Sequence, residues 1–250
     1  MAVYNKYGVR IDEGGGGSGA DYSFLVGKKY FALGDSIVYN SGTKANPVTV
    51  SGQQLYGYTQ AIEDRYGVVC TNKGQSGHTI IQDYTTLYNT DYSEATLVTI
   101  GYGVNDGRLN VPLGTRDSVD TTTFAGALNR LIQKIYTDNK DCRILILTPI
   151  QRLLVNSWGS YTQNSNGNTL EDFAEMCKSV ANYNGTMCAD LFHNSGINAI
   201  NLSSLTVEGV HPLNKGYVRM SDIILPQTDT LFAGTANTAQ DLIDGNEVEY

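Results

Sequence analysis

The stretch Tyr30-Phe31-Ala32-Leu33-Gly34-Asp35-Ser36 is an apolar run that ends abruptly in Gly-Asp-Ser. An apolar run bounded by turn-forming residues predicts a buried strand that leads into a tight turn. In α/β folds, ligand-binding and active sites lie outside the carboxyl ends of the strands. The stretch therefore places the Ser36 hydroxyl where a site is expected, and that hydroxyl needs a base and hydrogen-bond donors from elsewhere in the chain.

Short apolar runs and amphipathic segments alternate after the first strand, which we place within Phe24–Ser36. Alternation of this kind predicts parallel pairing, and hence a three-layer, doubly wound α/β fold around a mostly parallel five-stranded sheet. Polar loops are predicted over residues 37–52, 108–121 and 151–168. The further predicted strands are Val68–Cys70, Ala95–Gly101, Arg143–Pro149 and Thr186–Leu191, and the predicted helices are Gln53–Tyr66, Ile80–Tyr88, Phe124–Tyr136, Leu170–Tyr183 and Lys215–Leu225.

Composition divides the chain into three parts. Residues 1–20 hold a short strand-like peptide and a Gly-rich linker, and residues 21–226 form the predicted catalytic domain. Residues 227–250 are polar and predict a tail or a loose cap. The N-terminal peptide has two interpretations, a disordered tail or a tethering and self-association segment.

The chain has 250 residues and a formal net charge of −8. This charge disfavours a nucleic-acid groove, which needs a basic patch, and an electrostatic membrane contact. The first residues lack the apolar core of a signal peptide, and no apolar run approaches the ~18 residues of a membrane span. We therefore expect a soluble protein with no export signal in the sequence as given, although its compartment stays open.

Four cysteines are present, and none forms a C-x-x-C pair, so a zinc ribbon is not expected. Cys70 and Cys142 lie in apolar runs and are expected to be buried thiols. Cys177 and Cys188 could pair in a secreted protein, and the sequence leaves that question open.

A serine hydroxyl is a weak nucleophile and needs an adjacent base. Of the three histidines, His211 has the most suggestive setting, within Glu208-Gly209-Val210-His211-Pro212. A carboxylate three residues before a histidine, in a turn, can face the imidazole and stabilise its charged form. The alternative is that His211 is an ordinary surface or capping histidine.

Acyl transfer also needs hydrogen-bond donors directed at the developing oxyanion. The side-chain amide of Asn105 follows the third strand, and Gly77 lies in a Gly-rich turn after the second. The backbone N–H of Ser36 is a third candidate. Each of these residues also suits an ordinary turn, but together they would meet at one edge of the sheet.

Four segments in this order resemble the conserved blocks of the SGNH hydrolases, also called the GDSL family of esterases and lipases. They are Gly34–Ser36, Asn72–Thr79, Gly103–Asp106 and Glu208–Pro212, and the resemblance covers most of residues 28–225. It implies an SGNH or flavodoxin-like α/β fold and a carboxylic ester hydrolase that uses a serine.

The resemblance also implies a role for matching residues. Ser36 would be the nucleophile and His211 the base, and Ser36, Gly77 and Asn105 would form the oxyanion hole. The family usually has Asp three residues before the histidine, whereas this chain has Glu208, whose carboxylate lies one methylene farther out. Either Glu208 completes a triad, or a backbone carbonyl orients His211.

The sequence lacks the motifs that are typical of other hydrolase folds and of cofactor-binding proteins. There is no G-x-S-x-G elbow, which disfavours an α/β-hydrolase, and no P-loop, G-x-G-x-x-G or metal-ligand spacing, so no cofactor or metal is expected. Four further residues are candidate substrate contacts, each of which could equally be structural or solvated: His78, Arg108, Arg152 and Trp158. We expect Asp35 and Asp106 to brace their turns.

The rim loops are polar and carry Tyr, Asn and Trp rather than a long apolar lid. This favours a short acyl group, such as acetyl, on a small-molecule or glycan ester. The alternative is a catalytically weak carbohydrate-binding or structural module that keeps the fold, in an extracellular or virion-associated setting.

Overall fold

The computed structural model describes residues 21–155 and 158–243, with side chains described as far as residue 233. The N-terminal peptide predicted for residues 1–20 lies outside these ranges. The strands are β1 (Lys29–Gly34), β2 (Thr49–Val50), β3 (Gln53–Gln54), β4 (Val69–Asn72), β5 (Ala95–Gly101), β6 (Arg143–Leu147), β7 (Met187–Ala189), β8 (Thr206–Val207) and β9 (His211–Pro212). The helices are α1 (Ser36–Ser41), α2 (Tyr58–Tyr66), α3 (Ile80–Tyr88), α4 (Val104–Arg108), α5 (Phe124–Asp138), α6 (Leu170–Asn184), α7 (Leu191–Asn194), α8 (Leu202–Leu205) and α9 (Asn214–Ile243), preceded by a 3₁₀ turn at Ser23–Leu25.

The central sheet has five strands in the order β4-β1-β5-β6-β7, and every neighbouring pair is parallel. Helix α5 contacts both α3 and α6, helix α2 contacts both α1 and α9, and β6 contacts α6 of the first group and α9 of the second. The predicted three-layer α/β fold with a five-stranded sheet is confirmed.

The strand order reverses at β1, which lies between β4 and β5. A crevice forms at such a switch point, because the connections after the two central strands leave in opposite directions. Ser36 follows β1, and α4 follows β5, so the topology brings the first and third blocks to the same crevice. The chains are close here: a Cβ on Gly34 would lie 2.3 Å from the Gly101 carbonyl oxygen, so only glycine fits.

The segment after Ser36 differs from the loop predicted over residues 37–52. It begins with the short helix α1, capped by the Asp35 side chain, which accepts a hydrogen bond from the Ile37 N–H. A small hairpin of β2 and β3 follows, so α2 begins at Tyr58 rather than at Gln53. The sequence Ser36–Ser41 has weak helix formers, and its helix depends on the cap and on burial.

The last helix corrects the predicted boundary at Leu225. Helix α9 continues through Pro226 to Ile243, although proline removes one backbone donor. Tertiary contacts hold the continuation: Arg65 binds Asp229 through two hydrogen bonds of 2.9 and 2.6 Å, and Phe232 is buried. The first residues of the predicted tail thus pack into the domain.

All four cysteines are free thiols. Cys142 and Cys177 are buried, whereas Cys70 and Cys188 are partly buried. Burial raises the pKa of the Cys188 thiol to about 12, so it is protonated at neutral pH. Cys177 and Cys188, whose pairing the sequence left open, are not joined.

Candidate active site

Ser36 and His211, which are 175 positions apart in the chain, meet across the crevice. Ser36 is the first residue of α1, and His211 opens β9 of a small hairpin. The Ser36 Oγ lies 2.9 Å from the His211 Nε2. At this distance a neutral imidazole can accept the hydroxyl proton, which is the contact that activates a serine.

Ser36 and Gly77 line the same cavity, and each has a backbone N–H. Ser36 is at the first position of a helix, where an N–H has no intrahelical acceptor. Among the residues that the structure describes, neither N–H donates a hydrogen bond to the protein. Both residues line the cavity, so both donors are available to a ligand there.

The Asn105 side chain supplies a third donor in a fixed orientation. Its Nδ2 donates to the His78 carbonyl oxygen at 3.1 Å, and its Oδ1 accepts from Arg108 Nη2 at 3.3 Å. Asn105 is only 6% exposed and lines the cavity. Because Nδ2 carries two N–H groups and only one donates to His78, the second is left for a ligand.

Two buried carboxyl groups brace the turns that carry these donors. Asp35 caps α1, and Asp106 accepts hydrogen bonds from the backbone N–H groups of Ile80 and Gly103, at 3.0 and 3.1 Å. Burial raises the pKa of each carboxyl to about 7, against the hydrogen bonds that lower it. These contacts agree with the bracing expected of both residues.

His78, a predicted substrate contact, is not among the residues that line the cavity, and its carbonyl oxygen accepts the hydrogen bond from Asn105. Its imidazole is half exposed, and its Nδ1 lies 2.7 Å from Asp83 Oδ1. Asp83 is buried and also accepts a hydrogen bond of 2.8 Å from the Tyr102 hydroxyl. The sequence does not single out Asp83: it lies in the first turn of α3, five residues after His78, and this position alone does not distinguish it from the other aspartates.

The Glu208–His211 segment is a tight turn in which Glu208 has φ +56° and Gly209 has φ +70°. Positive φ at both central residues is typical of a hairpin turn, and the Val210 N–H donates to the Val207 carbonyl at 3.1 Å. Glutamate rarely adopts this conformation. Glu208 is exposed and lines the same cavity as His211.

The charge of Glu208 affects the pKa of His211. Within the described part of the chain, no hydrogen bond joins the carboxylate to the imidazole. Burial lowers the pKa of His211, the Glu208 charge opposes this shift, and the Arg152 charge adds to it. A lowered pKa keeps the imidazole neutral near pH 7, which is the form that accepts a proton.

Arg108 and Arg152 line the cavity, whereas Trp158 does not. The Trp158 ring is buried against Gly107, and the Arg152 guanidinium lies over it, 5.2 Å from the ring centroid. Trp158, a predicted substrate contact, therefore lies behind the cavity wall, where it supports Arg152.

The cavity has a volume of about 560 Å³. It is lined by Ser36, Gly77, Asn105, Glu208 and His211, and also by Arg108 and Arg152. The structure thus brings together the five residues predicted to carry out the chemistry. Over residues 21–155 and 158–243, no group of three or more His, Cys, Asp or Glu side chains is arranged to hold a metal ion, and no helix is both long and apolar enough to cross a membrane.

Solved structures with this fold include a possible lipase from Chitinophaga pinensis, with 22% identity and a TM-score of 0.63 over 83% of this chain and 98% of that one. A putative GDSL-like lipase from Parabacteroides merdae is 18% identical, with a TM-score of 0.61 over 82% and 98% of the two chains. An acetylxylan esterase from Geobacillus stearothermophilus is 19% identical, with a TM-score of 0.58 over 82% and 95%.

At these identities the likeness concerns the fold alone. The chain has no significant match among curated proteins. Residues 32–219 match the family model of GDSL-like lipases and acylhydrolases, a range that contains all the cavity residues discussed above. The chain therefore belongs to the GDSL-like lipase/acylhydrolase family, the SGNH hydrolases, which are carboxylic ester hydrolases.

Proposed function

We propose that the protein is a serine esterase that removes a short acyl group, such as acetyl, from a carbohydrate ester. The observation that carries the proposal is the 2.9 Å contact between Ser36 Oγ and His211 Nε2, in a cavity that also holds three unused hydrogen-bond donors. A module that only binds carbohydrate does not need this pair.

The reaction begins when His211 Nε2 takes the Ser36 hydroxyl proton and Oγ attacks the acyl carbon. The N–H groups of Ser36 and Gly77 and the Asn105 amide stabilise the negative charge on the carbonyl oxygen. The intermediate collapses and breaks the bond to the alcohol, which takes the proton from His211. Water then attacks the acyl-enzyme with His211 as base, which releases the acid and restores Ser36.

In this scheme, Glu208 assists His211 by charge. Its carboxylate opposes the burial that lowers the His211 pKa, and so favours the imidazolium that forms during the reaction. Because Glu208 is exposed, water screens this effect and makes it modest.

The preference for a short acyl group rests on the cavity lining. The apolar side chains of the cavity lining are Val104, Val155 and Val210. The other lining residues, which include Asn40 and Ser76, are polar, charged or glycine. A long acyl chain needs an apolar pocket. The apolar void beside α1, lined by Ile37, Val38 and Tyr58, has a volume of only about 20 Å³, which is about the space of one water molecule.

A polar alcohol such as a sugar suits this open, polar cavity. The fold similarity to the acetylxylan esterase of Geobacillus stearothermophilus supports the same substrate class, at 19% identity.

The test is hydrolysis of p-nitrophenyl acetate and octanoate, followed by a panel of acetylated sugars. We expect acetate to be preferred, and Ser36→Ala to lower kcat by at least about a thousandfold. A serine-reactive phosphonate should label the wild type at Ser36. Equal inactivity of the wild type and Ser36→Ala, with no labelling, would overturn the proposal in favour of a non-catalytic module.

A further inference from the structure

Two arginines line the cavity without a carboxylate partner in the described part of the chain. Arg152 is 5% exposed, and its guanidinium donates to backbone carbonyls: Nη2 to Val155 at 3.2 Å, and Nε to Leu153 at 3.5 Å. The Arg108 guanidinium donates to the neutral Asn105 amide. Glu208 is the one carboxylate of the described cavity lining, and it forms no ion pair with either arginine.

Arg65 shows how this chain accommodates a buried guanidinium elsewhere. The Arg65 side chain is 6% exposed, and Asp229 neutralises it through two short hydrogen bonds. Buried charges are usually paired in this way, because an unpaired charge loses its hydration without gaining an opposite charge in return. Arg152 is buried to the same degree, yet it has no such partner among the described residues.

The two cavity arginines also repel each other. The pKa of Arg152 is lowered by burial and, in addition, by the charge of Arg108. Arg152 is held in this position by Trp158 and by the two carbonyls rather than by an opposite charge. A protein with a net charge of −8 thus keeps two like positive charges at its cavity.

We propose that the substrate is an anionic ester, in which a carboxylate on the alcohol part binds to Arg108 and Arg152 beside the reacting carbonyl. This inference rests on the proposed esterase function. An acetyl group carries no carboxylate. The carboxylate therefore belongs to the alcohol part, as in an O-acetylated acidic sugar. The planar guanidinium matches a carboxylate in geometry and can donate two parallel hydrogen bonds.

The experiment compares O-acetylated galacturonic acid with O-acetylated galactose, which differ at C6 by a carboxylate in place of a hydroxymethyl group. We expect the wild type to favour the acidic sugar in kcat/KM by about 10- to 100-fold. Arg152→Gln and, separately, Arg108→Gln should reduce this ratio toward one. Added salt should raise KM for the acidic sugar more than for the neutral one.

Arg130→Gln is the matched control, because it removes the same charge from α5, which does not line the cavity. It should leave the ratio between the two sugars unchanged. Because the comparison is a ratio, a general loss of activity in a variant does not imitate loss of anion recognition. If Arg152→Gln does not fold, Arg108→Gln decides the matter.

The result that would overturn the inference is hydrolysis of both sugars at similar kcat/KM, with a ratio that neither arginine variant changes. In that outcome the esterase function stands. If neither sugar nor p-nitrophenyl acetate is hydrolysed, the proposed function fails first, and the inference fails with it.

Discussion

The two sides of the cavity are built in different ways. The sheet side, which we define as Ser36, Gly77 and Asn105, follows strands of the central sheet, and buried carboxyl groups brace its turns. The hairpin side, residues 206–212, consists of two short strands joined by a turn with an exposed glutamate at positive φ. One hydrogen bond, from Ser36 to His211, joins their functional groups across the cavity.

The proposed donors and nucleophile are therefore held by the central fold, whereas the proposed base, His211, is held by a local hairpin. The Leu153 N–H donates to the Gly209 carbonyl at 2.9 Å, and a Cβ on Gly209 would meet the Leu153 side chain at 2.7 Å. The position of His211 therefore depends on the loop that also carries Arg152. Changes on the sheet side should act mainly on kcat, whereas changes around His211 that leave the imidazole itself in place should act mainly on the pH dependence of kcat/KM.

Among the substitutions that compare the two sides, the largest effect is expected at Asn105 on the sheet side. Replacing it with Ala removes one oxyanion donor, which should lower kcat by about 100- to 1,000-fold with little change in KM. Steady-state kinetics with p-nitrophenyl acetate measures this loss. Asn194→Ala, at the exposed end of α7, serves as the control. A loss of less than threefold would show that the Asn105 amide is not one of the oxyanion donors.

The buried carboxyls of the sheet side should make stability depend on pH. The pKa of Asp106 is raised to about 7 in the folded protein, so between pH 4 and 7 the folded state holds a proton that the unfolded state has released. The free energy of unfolding should therefore fall as pH rises through this window, by an amount on the order of 1–3 kcal/mol.

Urea unfolding at pH 5 and pH 8 measures this fall. Asp106→Asn should reduce it without abolishing it, because the pKa of Asp35 is also raised to about 7. The exposed Asp117→Asn should leave the fall as it is in the wild type. Equal stability of the wild type at the two pH values would contradict the prediction.

The smallest effect is expected at Glu208 on the hairpin side. Glu208→Gln removes a charge that raises the His211 pKa, so the acid limb of the kcat/KM profile should move to lower pH. Near pH 7, where His211 is already neutral, the rate should change by about threefold or less.

Arg152→Gln should move the same acid limb to higher pH, because the Arg152 charge lowers the His211 pKa. Profiles from pH 4 to 8 on the neutral substrate p-nitrophenyl acetate compare the two variants. A hundredfold loss at pH 7 in Glu208→Gln would instead mean that the carboxylate orients the imidazole directly.

Local patterns predicted much of this molecule. The β-branched run Ala95–Gly101 and the helix Ile80–Tyr88 have the bounds expected from the sequence, because burial and capping there follow adjacent residues. The predictions failed where distant contacts override local preference. Helix α9 passes Pro226 because Arg65 and Tyr66, about 160 positions earlier, hold its continuation.

The site residues also differ in whether local sequence or tertiary packing identifies them. Motif residues Ser36, Gly77, Asn105 and His211 could be found from the sequence, since each sits in a turn of recognisable composition. Asp83 could not be ranked among the other aspartates, because its burial and its contacts with His78 and Tyr102 depend on how α3 packs.

The alternation of strands and helices, the serine at the end of the first strand and the acidic net charge can be read from local sequence. Which side chains meet is visible only in the folded chain: Ser36 faces His211, no hydrogen bond joins Glu208 to His211 among the described residues, and Arg152 is buried with no carboxylate partner in that part of the chain. The physical reason is that hydrophobic pattern and turn chemistry are local, whereas a contact across 175 residues exists only once the sheet and its hairpin have packed.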